Sequence, residues 1–146
     1  MRPDKVFFEP ESLNYELGKQ LKEKFKNVPW IPIESHNNIE QLRKNPNSEF
    51  VKMKRYIIIG VRKSLKYTPN HKISDYLVPY TSSGCSAMCL YCYLVCNYNK
   101  CSYLRLFVNR EQMMDKLIKT ANSSDKDIVF EIGSNSDLVL ENTITG

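Results

Sequence analysis

Apolar residues recur along this chain in two rhythms, and each predicts a different kind of element. Leu13, Leu17, Leu21 and Phe25 are spaced every fourth position, with Lys19, Lys22, Glu23 and Lys26 outside that stripe. That spacing predicts an amphipathic helix, capped by Ser12 and stopped by Asn27 and Pro29. Unbroken β-branched and aromatic runs predict strands instead. Lys5 to Glu9 reads as a short strand closed by Pro10, and Trp30 to Ile33 as a strand confined to a sheet edge by its prolines. The run from Arg55 to Arg62 has no polar alternation, so it is expected to be buried on both faces. Residues 35 to 47 are polar and rich in Asn, which predicts a loop with one helical turn around Ile39 to Arg43.

The second half repeats these rhythms around a cluster of cysteines. Tyr76 to Tyr80 reads as a strand running directly into the cysteine loop, and Tyr103 to Val108 is extended. Asn109 is placed to cap a helix whose apolar stripe is Met113, Met114, Leu117, Ile118 and Ala121, with Gln112 at its third position and Val108 stapled onto Met113. A turn over 122 to 127 leads into a strand over 127 to 133, which ends in Ser134-Asn135-Ser136-Asp137. Strand, loop, helix and strand in that order make one βαβ unit, and the chain is therefore expected to be α/β. A small N-terminal α/β lead over about residues 1–75 would precede the βα region over 76–146.

Composition narrows this picture. A chain of 146 residues with 42% apolar and 25% charged residues and only five Gly suits one globular domain. Its sequence has no apolar run long enough to cross a bilayer and no signal peptide, so cytoplasm is the expected compartment. The formal charge of +5 is unevenly placed. Between Arg43 and Lys72 lie nine Lys or Arg and a single acid, Glu49. Such a stretch suits a polyanion such as nucleic acid, and reads equally as the solvated face of a lysine-rich protein.

The chemistry is concentrated in the cysteines. All five fall between positions 85 and 101, and Cys85, Cys89 and Cys92 have C-x3-C-x2-C spacing. Thiolates are the usual ligands of iron-sulfur clusters. Three of them on one short loop would hold three corners of a 4Fe-4S cube and leave the fourth iron open. The competing reading is a zinc site of Cys89, Cys92, Cys96 and Cys101. It is less favoured because structural zinc sites usually join two knuckles across a longer loop. A disulfide framework is least favoured in a chain without a secretory leader.

With Tyr91 in the aromatic position before the last ligand, the loop resembles that of radical S-adenosylmethionine enzymes. Matches elsewhere resemble one family of that superfamily, the spore photoproduct lyases. They run through Phe8-Glu9-Pro10, Leu17-Gly18, Ser35-His36-Asn37, the stretch from Ile59 to Lys66, Cys85 to Leu94, Val108-Asn109, Phe130-Glu131 and Ser136-Asp137. The resemblance implies a DNA repair lyase that splits the spore photoproduct thymine dimer back to two thymines through a 5'-deoxyadenosyl radical. It implies a fold that begins a partial radical S-adenosylmethionine barrel, a 4Fe-4S cluster on Cys85, Cys89 and Cys92, and S-adenosylmethionine as the second cofactor. It also implies that Tyr91 and Tyr93 act beside the cofactor in adenosine contact and hydrogen return, and that Ser136 contacts S-adenosylmethionine. Their plainer readings are packing of the loop for the tyrosines and a helix cap for Ser136.

Two departures from the family pattern carry consequences. A Cys that serves the family as hydrogen donor is replaced here by Ser134, whose O–H bond is too strong to give hydrogen to a carbon radical. Cys96 and Cys101 are left over from cluster ligation, and Cys96, nearer the loop and Tyr93, is the preferred candidate donor. Either thiol also reads as a small buried hydrophobe. The chain is also shorter than a barrel of about six βα units, so it is expected to be an N-terminal portion, inactive alone. Expected partners are DNA carrying the spore photoproduct and an electron donor such as ferredoxin or flavodoxin. No membrane is expected, the location would be the spore core, and the full-length protein would be a monomer. The rival functions are another radical S-adenosylmethionine enzyme, or a non-catalytic zinc-dependent module that binds nucleic acid.

Overall fold

The computed structural model describes residues 2–44, 46–70, 73–89, 91, 92, 94, 103–133 and 136–146. Its main element is a five-stranded sheet. The strands are β1 (Lys5–Phe8), β2 (Trp30–Pro32), β3 (Tyr56–Gly60), β6 (Ser82–Ser83) and β7 (Leu104–Phe107), in the order β2-β1-β3-β7-β6. The first four in that order run parallel, and β6 is antiparallel to β7. Strands from both stretches, 1–75 and 76–146, therefore meet in this one sheet. A smaller sheet contains β4 (Thr68–Pro69), β5 (Tyr76–Leu77) and β8 (Phe130–Glu131), in the order β4-β5-β8.

The alternation of side chains along β3 divides the core into two layers. Ile57, Ile59 and Val61 join Val6, Leu104, Leu106 and Val108 on one face. Ile58 joins Phe7 and Tyr103 on the other. Helix α1 (Glu16–Lys24) covers the first face with Leu17 and Leu21, and Phe25 follows them into the core. The second face is covered by α2 (Glu40–Arg43) through Leu42 and by α3 (Phe50–Met53) through Met53. Helices on both faces explain why β3 carries no polar alternation: both of its faces are buried.

Several elements differ from the sequence reading. Ser12 does not cap α1; it lies in a 3-10 turn over Pro10–Asn14, and Tyr15 takes the capping position without a side-chain hydrogen bond. The reason is a close approach, because a Cβ on Gly18 would lie 1.9 Å from the Ser12 carbonyl oxygen. Asn109 occupies the capping position of α4 (Arg110–Asn122) as expected, but its side chain makes no capping hydrogen bond to the helix backbone. Its amide instead accepts from the Arg62 N–H and donates to the Arg62 carbonyl, tying the exits of β3 and β7 together. Of the stripe expected on α4, Met113 is buried, whereas Met114 and Ile118 are about half exposed. A final helix, α5 (Leu138–Thr145), was not expected. The Asp137 carboxylate caps it by accepting from the N–H groups of Val139 and Leu140. Ile144 returns α5 to the first core layer, and Lys24 donates to its carbonyl at 2.6 Å. Among the described residues, no helix is long and apolar enough to cross a membrane.

Candidate metal and cofactor site

The cysteine loop grows out of a chain segment held on both sides. The strand expected over Tyr76 to Tyr80 is β5 for only two residues, and the segment then continues to β6, which leads into Cys85. On one side, Ser82 and Ser83 pair with Leu106 and Arg105 of β7. On the other, β5 pairs parallel with β8. The pairing resumes as a single parallel bridge between Gly84 and Ser136. Gly84 has φ 80°, a left-handed conformation that turns the chain into the loop and that a side chain would resist. The parallel neighbours of the βαβ reading are thus present, as β5 and β8.

That bridge sets Ser136 beside the start of the loop. The Ser136 hydroxyl is buried and has no hydrogen-bond partner among the described residues. A buried hydroxyl left unsatisfied costs about 1–3 kcal/mol, so the position suits a polar ligand group. Helix capping does not account for it, since Asp137 performs that role.

Cys85 and Cys92 are partly exposed and Cys89 is exposed, all as free thiols. The Cys85 sulfur accepts from the Ala87 N–H at 3.3 Å. Among the described residues, no three His, Cys, Asp or Glu side chains are gathered at metal-binding distance. What supports a cluster is the chemistry of the donor set: three accessible thiols on one short loop, beside an orphaned hydroxyl. Tyr91 is 92% exposed. Tyr93, Cys96, Cys101 and Ser134 lie outside the described residues.

Two supporting groups escaped the sequence reading. Lys54 is only 1% exposed, and its ammonium donates to the Cys85 carbonyl oxygen at 2.7 Å. In the sequence it is one cation in a basic stretch, and nothing in its spacing marks it as the buried member. Glu9 is the second such group. Its carboxylate accepts from the backbone N–H groups of His36 and Val61 and lies 2.8 Å from His36 Nδ1. Burial alone would raise its pKa, but the hydrogen bonds from Val61 and His36 outweigh burial and hold it below the usual carboxylate value. The signal for both residues of this pair was their presence among the family-like matches, Phe8-Glu9-Pro10 and Ser35-His36-Asn37.

The basic stretch is not one surface. Lys44 pairs with Glu40, Lys52 with Glu49 and Arg55 with Asp4. Arg62, Lys63 and Lys66 instead line an open cavity of about 560 Å³ together with His36, Ser83 and Arg105.

Comparisons with known proteins identify the family and the fold. The family model described as Spore photoproduct lyase matches residues 1–146. The chain is similar to the spore photoproduct lyase of Bacillus subtilis, at 34% identity over 94% of this chain and 41% of that protein. It is similar to that of Geobacillus sp. at 32% identity, over the same shares of each chain. It thus spans about two fifths of the length of these curated relatives. A solved spore photoproduct lyase complexed with dinucleoside spore photoproduct superposes with a TM-score of 0.84 at 31% identity, over 98% of this chain and 43% of that one. A doubly substituted spore photoproduct lyase with bound AdoMet and the same dinucleoside superposes equally well. The α/β fold described above is accordingly that of part of a radical S-adenosylmethionine protein, and this chain belongs to the spore photoproduct lyase family.

Proposed function

We propose that this chain forms the cluster-bearing part of a lyase that repairs the spore photoproduct in DNA. The observation that carries the reading is the Gly84–Ser136 bridge, which sets a buried, unpartnered hydroxyl beside a C-x3-C-x2-C loop within a family fold. Cys85, Cys89 and Cys92 would hold a 4Fe-4S cluster through thiolates, as this donor set favours. When bound, the cluster supplies the electron for reductive cleavage of S-adenosylmethionine. The chain's own residues then have positional tasks. Ser136 offers its hydroxyl to a polar group of S-adenosylmethionine. Lys54 fixes the backbone of the first cluster ligand, and the Glu9–His36 pair braces the neighbouring strand exit. Tyr91 contacts the adenosine once ligand or further protein covers it, and Tyr93 and Cys96 stay as the candidates for returning hydrogen.

The division into an N-terminal lead over 1–75 and the start of the radical domain over 76–146 belongs to the same proposal. So do an electron donor of ferredoxin or flavodoxin type, a monomeric full-length enzyme and a location in the spore core. Repair would require the further segments that the longer relatives possess, so the 146-residue chain is expected to assemble the cluster without robust turnover of dinucleoside spore photoproduct.

Metal analysis after anaerobic reconstitution tests this. Iron and sulfide near four each per chain are expected for one 4Fe-4S cluster. Stoichiometric zinc without sulfide would instead support the zinc module of Cys89, Cys92, Cys96 and Cys101.

A further inference from the structure

The cavity at the ends of β3 and β7 gathers positive charge. It is lined by His36, Arg62, Lys63, Lys66, Ser83 and Arg105, and no Asp or Glu is among its lining residues. Glu9 lies close by, but its oxygens are engaged by Val61 and His36. Arg62 shows the imbalance most clearly. Its guanidinium lies over the ring of Phe107, 4.7 Å from the centroid, and 5.5 Å from that of Tyr80. No carboxylate pairs with it among the described residues. Burial pushes its pKa down from the ordinary arginine value, a push that Tyr80 opposes. A half-buried guanidinium without a counter-ion is costly to maintain unless an anion arrives to meet it.

The surroundings are built rather than incidental. Asn109 grips both the N–H and the carbonyl of Arg62, so the arginine leaves the sheet from a fixed point. Arg105 donates to the His36 carbonyl at 3.2 Å, which holds the opposite wall. The cavity also lies by the carboxyl ends of the parallel neighbours β3 and β7, the end of an open α/β sheet at which ligands usually bind. Ser83, which borders the cavity, is two residues before Cys85 in the sequence.

We propose that this cavity binds a backbone phosphate of the DNA strand next to the lesion, with Arg62 as its principal ligand and Lys63, Lys66 and Arg105 around it. A planar guanidinium fork with lysines beside it suits a phosphodiester. The placement near the cysteine loop would register the strand so that the damaged bases reach the cofactor. The inference rests on the lyase reading for its choice of DNA.

Salt titration of DNA binding tests it. The 146-residue chain is titrated against an undamaged labelled duplex between about 50 and 200 mM salt, and compared with Arg62→Gln/Lys66→Gln. Loss of one phosphate contact should reduce the slope of log K against log salt by about 0.9, with about tenfold weaker binding at low salt. Lys44→Gln, at a cation paired with Glu40, should leave the slope unchanged. Lys63→Gln and Lys66→Gln alone, with melting curves, keep the test decisive if the Arg62 variant does not fold. Equal slopes for wild type and the folded variants would overturn the proposal. Thermal stabilisation of wild type, but not of the variants, by inorganic phosphate with unchanged DNA slopes would also overturn it, in favour of a free-anion site. The readout needs neither cluster nor cosubstrate. Failure here therefore leaves the lyase reading standing, and failure to assemble a cluster would not alter the DNA slope.

Discussion

The buried ammonium of Lys54 donates to the carbonyl oxygen of Cys85, 2.7 Å away, joining the approach to the central strand to the first residue of the cysteine motif. Lys54→Met should leave that carbonyl without its donor and lower stability by about 1–3 kcal/mol. A role in presenting the ligand predicts more than lost stability. Iron retention after anaerobic reconstitution should weaken by about tenfold, as for other groups that orient metal ligands. Full iron retention in a destabilised variant would reduce Lys54 to a structural residue.

Gly18 is fixed by the 3-10 turn that lies against it. A methyl group there would meet the Ser12 carbonyl oxygen at 1.9 Å, and backbone is what would have to shift. Gly18→Ala therefore should destabilise the chain, by about 1–3 kcal/mol, even though alanine is the better helix former. Thermal melting should show a drop of roughly 3–12 °C. A Tm equal to wild type, or above it, would mean that helix propensity decides at this position.

The Glu9 carboxyl has its pKa lowered in the folded chain relative to the usual 4.5. Its contribution to stability is therefore complete above the unfolded value and is lost as pH falls from about there through the folded value. Denaturant unfolding across that acid window should give a stability that declines with falling pH, and Glu9→Gln should flatten the decline. The variant should also be less stable near neutral pH by about 1–3 kcal/mol, because charge-assisted bonds to Val61 and His36 become ordinary ones. Parallel curves for wild type and Glu9→Gln would assign the acid sensitivity to other carboxylates.

Much of this was legible in the residues, and the limits have physical causes. The central strand β3 was readable because burial on both faces removes polar residues from it, as at Ile57, Ile58 and Ile59. The edge position of β2 was readable because its prolines cannot serve a ladder on both sides. Helix starts were less readable: Ser12 is a good capping residue by type, yet it falls within the 3-10 turn before α1, and the Asn109 side chain is drawn to the Arg62 backbone. The final helix over Leu138–Thr145 was hidden because half of its apolar residues face outward, Leu138 and Val139 among them. In the site, the cysteine spacing speaks for itself. The arrival of Ser136 at Gly84 depends on how β5 and β8 align, which only the fold determines. Lys54 could not be told from its neighbours because burial, not residue type, distinguishes it.

The most direct test of the cluster assignment is alanine substitution at each of the five cysteines, followed by anaerobic reconstitution and measurement of iron, sulfide and cluster absorbance. Cys85→Ala, Cys89→Ala and Cys92→Ala should each lose the cluster, because each removes one of three protein corners of the cube. Cys96→Ala and Cys101→Ala should retain it. Loss of the cluster in either of the last two, together with its retention in Cys85→Ala, would contradict the assignment.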